Sequence, residues 1–241
     1  MGIWDMNSIL LIAVATIGYA SVAFATDHPS PKTATLPPPP AAKWDGFYVG
    51  AQGGWQDFRN SFSDIGIGAS IGDDTFATRR RNSFIGGAKA GYDMSFHNVV
   101  YGIVADVDAG HSGIRYWNPN GWGFSQKLRV QGSLRARAGI SFGDALFYAT
   151  AGITGAKFST AYYEGTDPNP FSNFPDNKVG WTVGAGFQYM MDNNWSALLE
   201  YRYSDYGHIV YQAPNPWTNY TDTHRVMTNT VRVGINYRFG Q

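Results

Sequence analysis

Cysteine is absent from this chain of 241 residues, so neither a disulfide framework nor a thiolate metal site is open to it. Net charge is missing as well: 18 Lys and Arg balance 18 Asp and Glu. A nucleic-acid partner is therefore not expected, because displacing phosphate counterions takes a basic surface. Long apolar runs are lacking too. Ile9 to Ala20 is too short to cross a bilayer as a helix. It is followed by Ala23-Phe24-Ala25, a small-x-small cleavage signature, so residues 1–25 read as a secretory signal peptide. The preceding segment, MGIWDMN, has no Lys or Arg and carries Asp5. Either Met6 is the initiator or the signal is of an unusual type.

What the chain does have is proline in one place and alternation nearly everywhere else. Residues 26–43 are rich in Pro, Thr, Ala and Lys and end in Pro37 to Pro40. Four consecutive prolines cannot donate to a sheet and favour an extended tether, here expected in the periplasm. From Trp44 on, apolar and polar residues alternate with a period of two. In the Gly180–Gly207 hairpin, Trp181, Val183, Ala185, Phe187 and Tyr189 share one face, and Trp195, Ala197, Leu199, Tyr201 and Tyr203 repeat it after the Asp192-Asn193-Asn194 turn. The longest alternation sets Leu128, Val130, Leu134, Ala136, Ala138 and Ile140 against Lys127, Arg129, Gln131, Arg135 and Arg137 without a break.

Continued along the chain, this pattern predicts eight strands in residues 44–241. Long connections (Arg59 to Asn82, His111 to Gln126, Thr160 to Lys178, Gly207 to Val226) alternate with tight turns near His97, Asp144 and Asn193. In an up-and-down barrel that places all long loops at one end, with both termini at the other. The apolar faces carry Ala, Gly and terminal aromatics rather than the Leu, Ile and Val of a sandwich core, which suits a lipid-facing band with aromatic girdles. The expected fold is thus an all-β, eight-stranded antiparallel transmembrane barrel in the outer membrane, loops outside and termini in the periplasm. Its polar faces would form an interior charge network: Lys89, Asp93, Asp106, Asp108, Arg129, Arg135, Arg137, Glu200, Arg202 and Arg232. Charges facing lipid would each cost about 2–4 kcal/mol near the midplane, which fixes the phase.

GWTVGAG (Gly180 to Gly186), DNNWSALLEYRYSDYG (Asp192 to Gly207), VRVGINYRF (Val231 to Phe239) and WDGFYVGAQGGW (Trp44 to Trp55) together resemble the small outer-membrane surface-protein family of alpha-proteobacteria. That family includes surface antigens, porin-like proteins and hemin-binding members. The resemblance implies an eight-stranded barrel inserted by the barrel assembly machinery, which reads an aromatic-rich last strand. Tyr237 and Phe239 would be that signal, although Gly240-Gln241 follows where such barrels usually end on the aromatic.

The chemistry on offer is limited. Barrel enzymes need a His beside a Ser or carboxylate, yet His28, His97, His111, His208 and His224 fall in the tether, a turn or the predicted loops. No enzymatic activity and no required cofactor is expected. A wide pore is disfavoured, since eight strands enclose room for side chains alone. Hemin is the leading ligand: His111, His208 and His224, with Tyr211 and Tyr220, fall in two of the long loops, and imidazole and phenolate both ligate iron. Adhesive or structural display towards host surface molecules is the alternative, followed by a narrow porin-like channel. Arg79-Arg80-Arg81 offers bidentate contacts to lipopolysaccharide phosphates, or a solvated rim.

Overall fold

The structure is a computed structural model that describes residues 43–66, 75–117, 122–164, 172–212 and 220–240. The signal-peptide expectation lies outside the described residues, as does the tether except for Lys43. Eight strands follow one another: β1 (Gly46–Gly66), β2 (Thr75–Phe96), β3 (Val99–Trp117), β4 (Trp122–Phe142), β5 (Ala145–Glu164), β6 (Ser172–Met190), β7 (Trp195–Gln212) and β8 (Tyr220–Arg238). Each pairs antiparallel with its neighbour, and β8 closes on β1. Closure removes both sheet edges from lipid, where an unpaired backbone group would go unsatisfied.

The strands run much further than the alternation indicated. Arg59–Gly66, Thr75–Asn82, His111–Trp117 and Gly207–Gln212 are strand, not loop. The longest unbroken alternation also proves to be interrupted. Leu128 pairs with Phe158 and Val130 with Lys157, leaving Arg129 as the extra residue of a β-bulge. The phase of β4 flips there. Leu128 turns into the barrel, 1 % exposed, while Lys127 and Arg129 face outward. Arg129 is therefore not a member of the interior network.

Two seams divide the wall at the end with the long connections. β2 and β3 stay paired only up to Ile85 and Gly110, and β6 and β7 only up to Trp181 and Asp205. Beyond these points β2 remains with β1, β3 with β4, β6 with β5 and β7 with β8. Above the closed barrel the described strands thus form two four-stranded lobes. Arg79, Arg80 and Arg81 lie on the β2 edge of one lobe, and Pro175 lies on the β6 edge of the other. Charge and proline are the means by which sheets keep open edges from pairing with other chains.

At the opposite end the turns are tight. His97 adopts a positive φ of 58° and Gly143 one of 62°. Asp192 accepts hydrogen bonds from the N–H groups of Asn194 and Trp195, which hold its carboxyl below the usual range. A belt of exposed aromatics circles the outer face here. Phe239 stacks on Phe47 with centroids 5.7 Å apart, Tyr237 meets Phe239 edge-on, and Trp195 meets Tyr237 at 5.1 Å. A second aromatic level, with Trp55 against Phe84 and Trp181 against Tyr203, bounds the apolar band from the other side. Two aromatic levels enclosing Ala, Val, Leu and Ile are what a strand wall needs where acyl chains meet headgroups.

Candidate functional site: a filled lumen

Among the described residues, buried side chains line up through the interior from the short-turn mouth to the level of His224. At the short-turn mouth Trp44, Val100, Leu146, Tyr148 and Met190 form an apolar stopper, with Trp44 Nε1 donating to the carbonyl of Gly143 at 3.2 Å. Lys43 pairs with Asp144 beside it. Two glycines let the tyrosines of this level lie flat across the wall. A Cβ on Gly91 would come within 2.5 Å of the Tyr48 ring, and one on Gly186 within 2.5 Å of Tyr148.

Above the stopper lies a first ionic level. Asp93 accepts hydrogen bonds from Arg137 (3.2 Å) and Arg238 (2.9 Å). Arg137 also donates to Gln188 and the Tyr48 hydroxyl, and its guanidinium sits 4.0 Å from the Tyr148 ring centroid. A second level centres on Asp106, which takes Arg135 at 2.8 Å and both terminal nitrogens of Arg202 at 2.8 and 2.9 Å. Glu200 accepts from Arg135, Arg202 and the Tyr148 hydroxyl. Asp108 faces Arg232 at 2.8 Å and accepts from Gln52. Lys89 lies across from Asp106 in the β2–β3 register. All of these side chains are buried. The five lumen guanidiniums of Arg135, Arg137, Arg202, Arg232 and Arg238 thus share the carboxylates Asp93, Asp106, Asp108 and Glu200, with the buried Lys89 beside them. Each carboxylate bridges cations from different strands, so the network ties the wall together across its diameter. Arg238 is the member that sequence reading missed; its place in the VRVGINYRF alternation, in phase with Arg232, marks it as inward.

Beyond the ionic levels the plug turns neutral. Gln56 donates to Gln131, which also accepts from Tyr206, and Asn60 donates to Gln126, which donates to Thr160. Phe58, Leu128, Phe158 and Val226 fill the space between them, each at most 1 % exposed. His224 belongs to this level, above the apolar band, 3.2 Å from Asn60. Burial lowers its imidazole to about 4, so it is neutral near pH 7.

Of the residues expected to ligate hemin, His208 and His224 do not converge, and the side chains of His111, Tyr211 and Tyr220 lie outside the described residues. His208 and His224 sit on adjacent strands, yet on opposite faces. Gly207, at φ +69°, forms a β-bulge whose N–H donates to Asp205, and it turns His208 outward when alternation from Tyr206 would send it into the lumen. His208 is exposed beside Arg225, while His224 is enclosed. His111 falls on β3, and Tyr211 and Tyr220 fall on β7 and β8. Among the described residues no group of three or more His, Asp or Glu side chains is placed to hold a metal ion. The arginine triplet is exposed but divided in the same way. Arg79 and Arg81 pair with the inward Asn60 and Phe58, and Arg80 pairs with the outward Arg59.

A family model described as the outer membrane protein beta-barrel domain matches residues 14–239. The chain is 30% identical to the 31 kDa outer-membrane immunogenic protein of Brucella melitensis, over 97% of this chain and 100% of the relative. It is 30% identical to the 25 kDa outer-membrane immunogenic protein of Brucella abortus, over 97% and 99%. The 22 kDa outer membrane protein of Rhizobium leguminosarum is 29% identical over 84% and 82%. Among solved structures, the outer membrane protein OprG of Pseudomonas aeruginosa has a similar fold, with a TM-score of 0.53 at 16% identity, covering 82% of this chain and 97% of that one.

Proposed function

Because this chain belongs to the outer membrane β-barrel domain family, we propose that it is a surface-display protein: a plugged barrel that holds the segments joining its long strands at the cell exterior and conducts nothing itself. The observation that carries this reading is the continuity of the plug, from the Trp44 stopper through two ionic levels to the neutral level around His224. A hole through it would strip partners from buried guanidiniums. Immunogenic relatives are in keeping with a chain whose outer segments face antibodies. Hemin coordination through paired ligands loses support, since His208 and His224 face opposite sides of the wall.

Orientation follows from the same scheme, with the lobed end outside and the tight turns in the periplasm. The lack of cysteine makes a clean test. A Thr78→Cys variant, on the lobed end, is expected to react with a membrane-impermeant maleimide on intact cells, whereas Asn193→Cys reacts only after permeabilisation. The reverse pattern would overturn the orientation. If Tyr237 and Phe239 are the segment read by the assembly machinery, adding Phe239→Ser to the Thr78→Cys variant lowers surface labelling severalfold. Unchanged labelling would remove that role.

A further inference from the structure

The outer face of the barrel is unevenly charged where the apolar band ends. On β1, β7 and β8 the outward cations have acidic companions: Arg59 lies 3.9 Å from Asp57, and Arg225 pairs with Asp205 at 2.8 Å. On β3, β4 and β5 the outward Arg115, Lys127, Arg129 and Lys157 are all exposed, and no described outward-facing residue of these strands above the band is a carboxylate. The register gathers them. Lys127 lies between Gly113 and Ser159, Arg115 is across from Ser125, and Arg129 is the bulge residue next to the Val130–Lys157 pair. With strands about 5 Å apart and a rise of about 3.3 Å per residue, the group covers roughly 10 Å of wall across the strands and about 15 Å along them. The Arg115 guanidinium lies 5.5 Å from the Tyr163 ring centroid, which helps hold it on this face.

The bulge is what makes the patch. Without it Leu128 would face out, and Lys127 and Arg129 would face the lumen; with it, Leu128 completes the plug and two cations join Arg115 and Lys157. Directly below are Val107, Val130 and Ile153, which are 51, 43 and 59 % exposed. An occupant of this surface therefore meets aliphatic wall under a cluster of cations, the arrangement that fits an anionic amphiphile lying alongside the barrel.

We propose that Arg115, Lys127, Arg129 and Lys157 form a binding site for the lipid-linked phosphates of lipopolysaccharide, with the acyl chains against Val107, Val130 and Ile153. The site is distinct from the Arg79–Arg81 edge. It rests on the reading of the lobed end as external, but its test in detergent does not depend on orientation, so the two can fail separately.

The full chain is refolded in dodecyl maltoside and titrated with bisphosphorylated lipid A, bound lipid being counted by native mass spectrometry. The R115Q/K127Q/R129Q/K157Q variant is expected to lose about tenfold or more in apparent affinity, and the R79Q/R80Q/R81Q variant to stay within about twofold. Dephosphorylated lipid A should bind the wild type as weakly as the phosphorylated form binds the quadruple variant. A K127Q/R129Q double variant, with folding checked by heat-modifiable gel mobility, should fall between. Wild-type affinity in both the quadruple and double variants, or loss confined to the triple variant, would overturn the site. Full competition by millimolar inorganic phosphate would overturn the lipid-linked assignment, and its failure to compete supports it.

Discussion

Replacing Asp106 with Asn is expected to lower the unfolding free energy of the bilayer-inserted barrel by about 3–5 kcal/mol. Asp106 is the acceptor shared by Arg135 and Arg202, with Arg232 3.6 Å away, and its side chain is fully buried. The amide keeps the shape but removes the charge, and its NH2 group points at guanidinium donors. Five buried guanidiniums would then share three carboxylates. Lipid surrounds the wall and buried side chains pack around Asp106, so the surplus charge sits in a poorly solvating interior. The effect should exceed that of any exposed pair: Asp57→Asn, which breaks the 3.9 Å contact with Arg59 at the outer surface, is expected to cost under about 0.5 kcal/mol. Urea unfolding in vesicles, followed by tryptophan fluorescence and gel mobility, checks both. Similar midpoints for the two variants would mean that the ionic levels do not hold the barrel together.

The second large effect lies one residue away from a stabilising arginine. Leu134→Arg is expected to cost about 2–4 kcal/mol in a bilayer. Leu134 is 52 % exposed on the outer face, between Ala105 and Ile153 in register and near the middle of the band that runs from Phe142 to Val130. Its neighbour Arg135 carries the same charge inward, where Asp106, Glu200 and Thr150 accept hydrogen bonds from it. The two positions differ only in which side of the pleat they occupy. Thr78→Arg, above the band and exposed, should change stability by less than about 0.5 kcal/mol. A Leu134→Arg variant as stable as wild type in vesicles would show that this face does not meet lipid.

Period-two alternation was enough to place the strands and most of the lumen, because one face meets lipid and tolerates no charge. Arg135, Arg137, Arg202, Arg232, Asp93, Asp106 and Glu200 all point where their phase indicated. The errors arose where phase is reset. The Arg129 bulge inverts the upper part of β4, and the Gly207 bulge turns His208 away from His224. Neither leaves a local signal beyond a glycine or a doubled cation. Strand length was hidden for a different reason. Above the apolar band the wall no longer separates lipid from a packed lumen, so stretches such as Arg79-Arg80-Arg81 and Ser112-Gly113 lose the apolar stripe yet keep their backbone pairing. The basic patch on β3–β5 was invisible for the same cause, since its members are gathered by register and one bulge rather than by spacing in the chain.

The plugged lumen is tested most directly by planar-bilayer recording of the purified, refolded chain. The filled interior predicts a silent membrane at moderate voltage, with insertion verified by gel mobility of the recovered protein. Stable, reproducible conductance steps from wild-type barrels would contradict it.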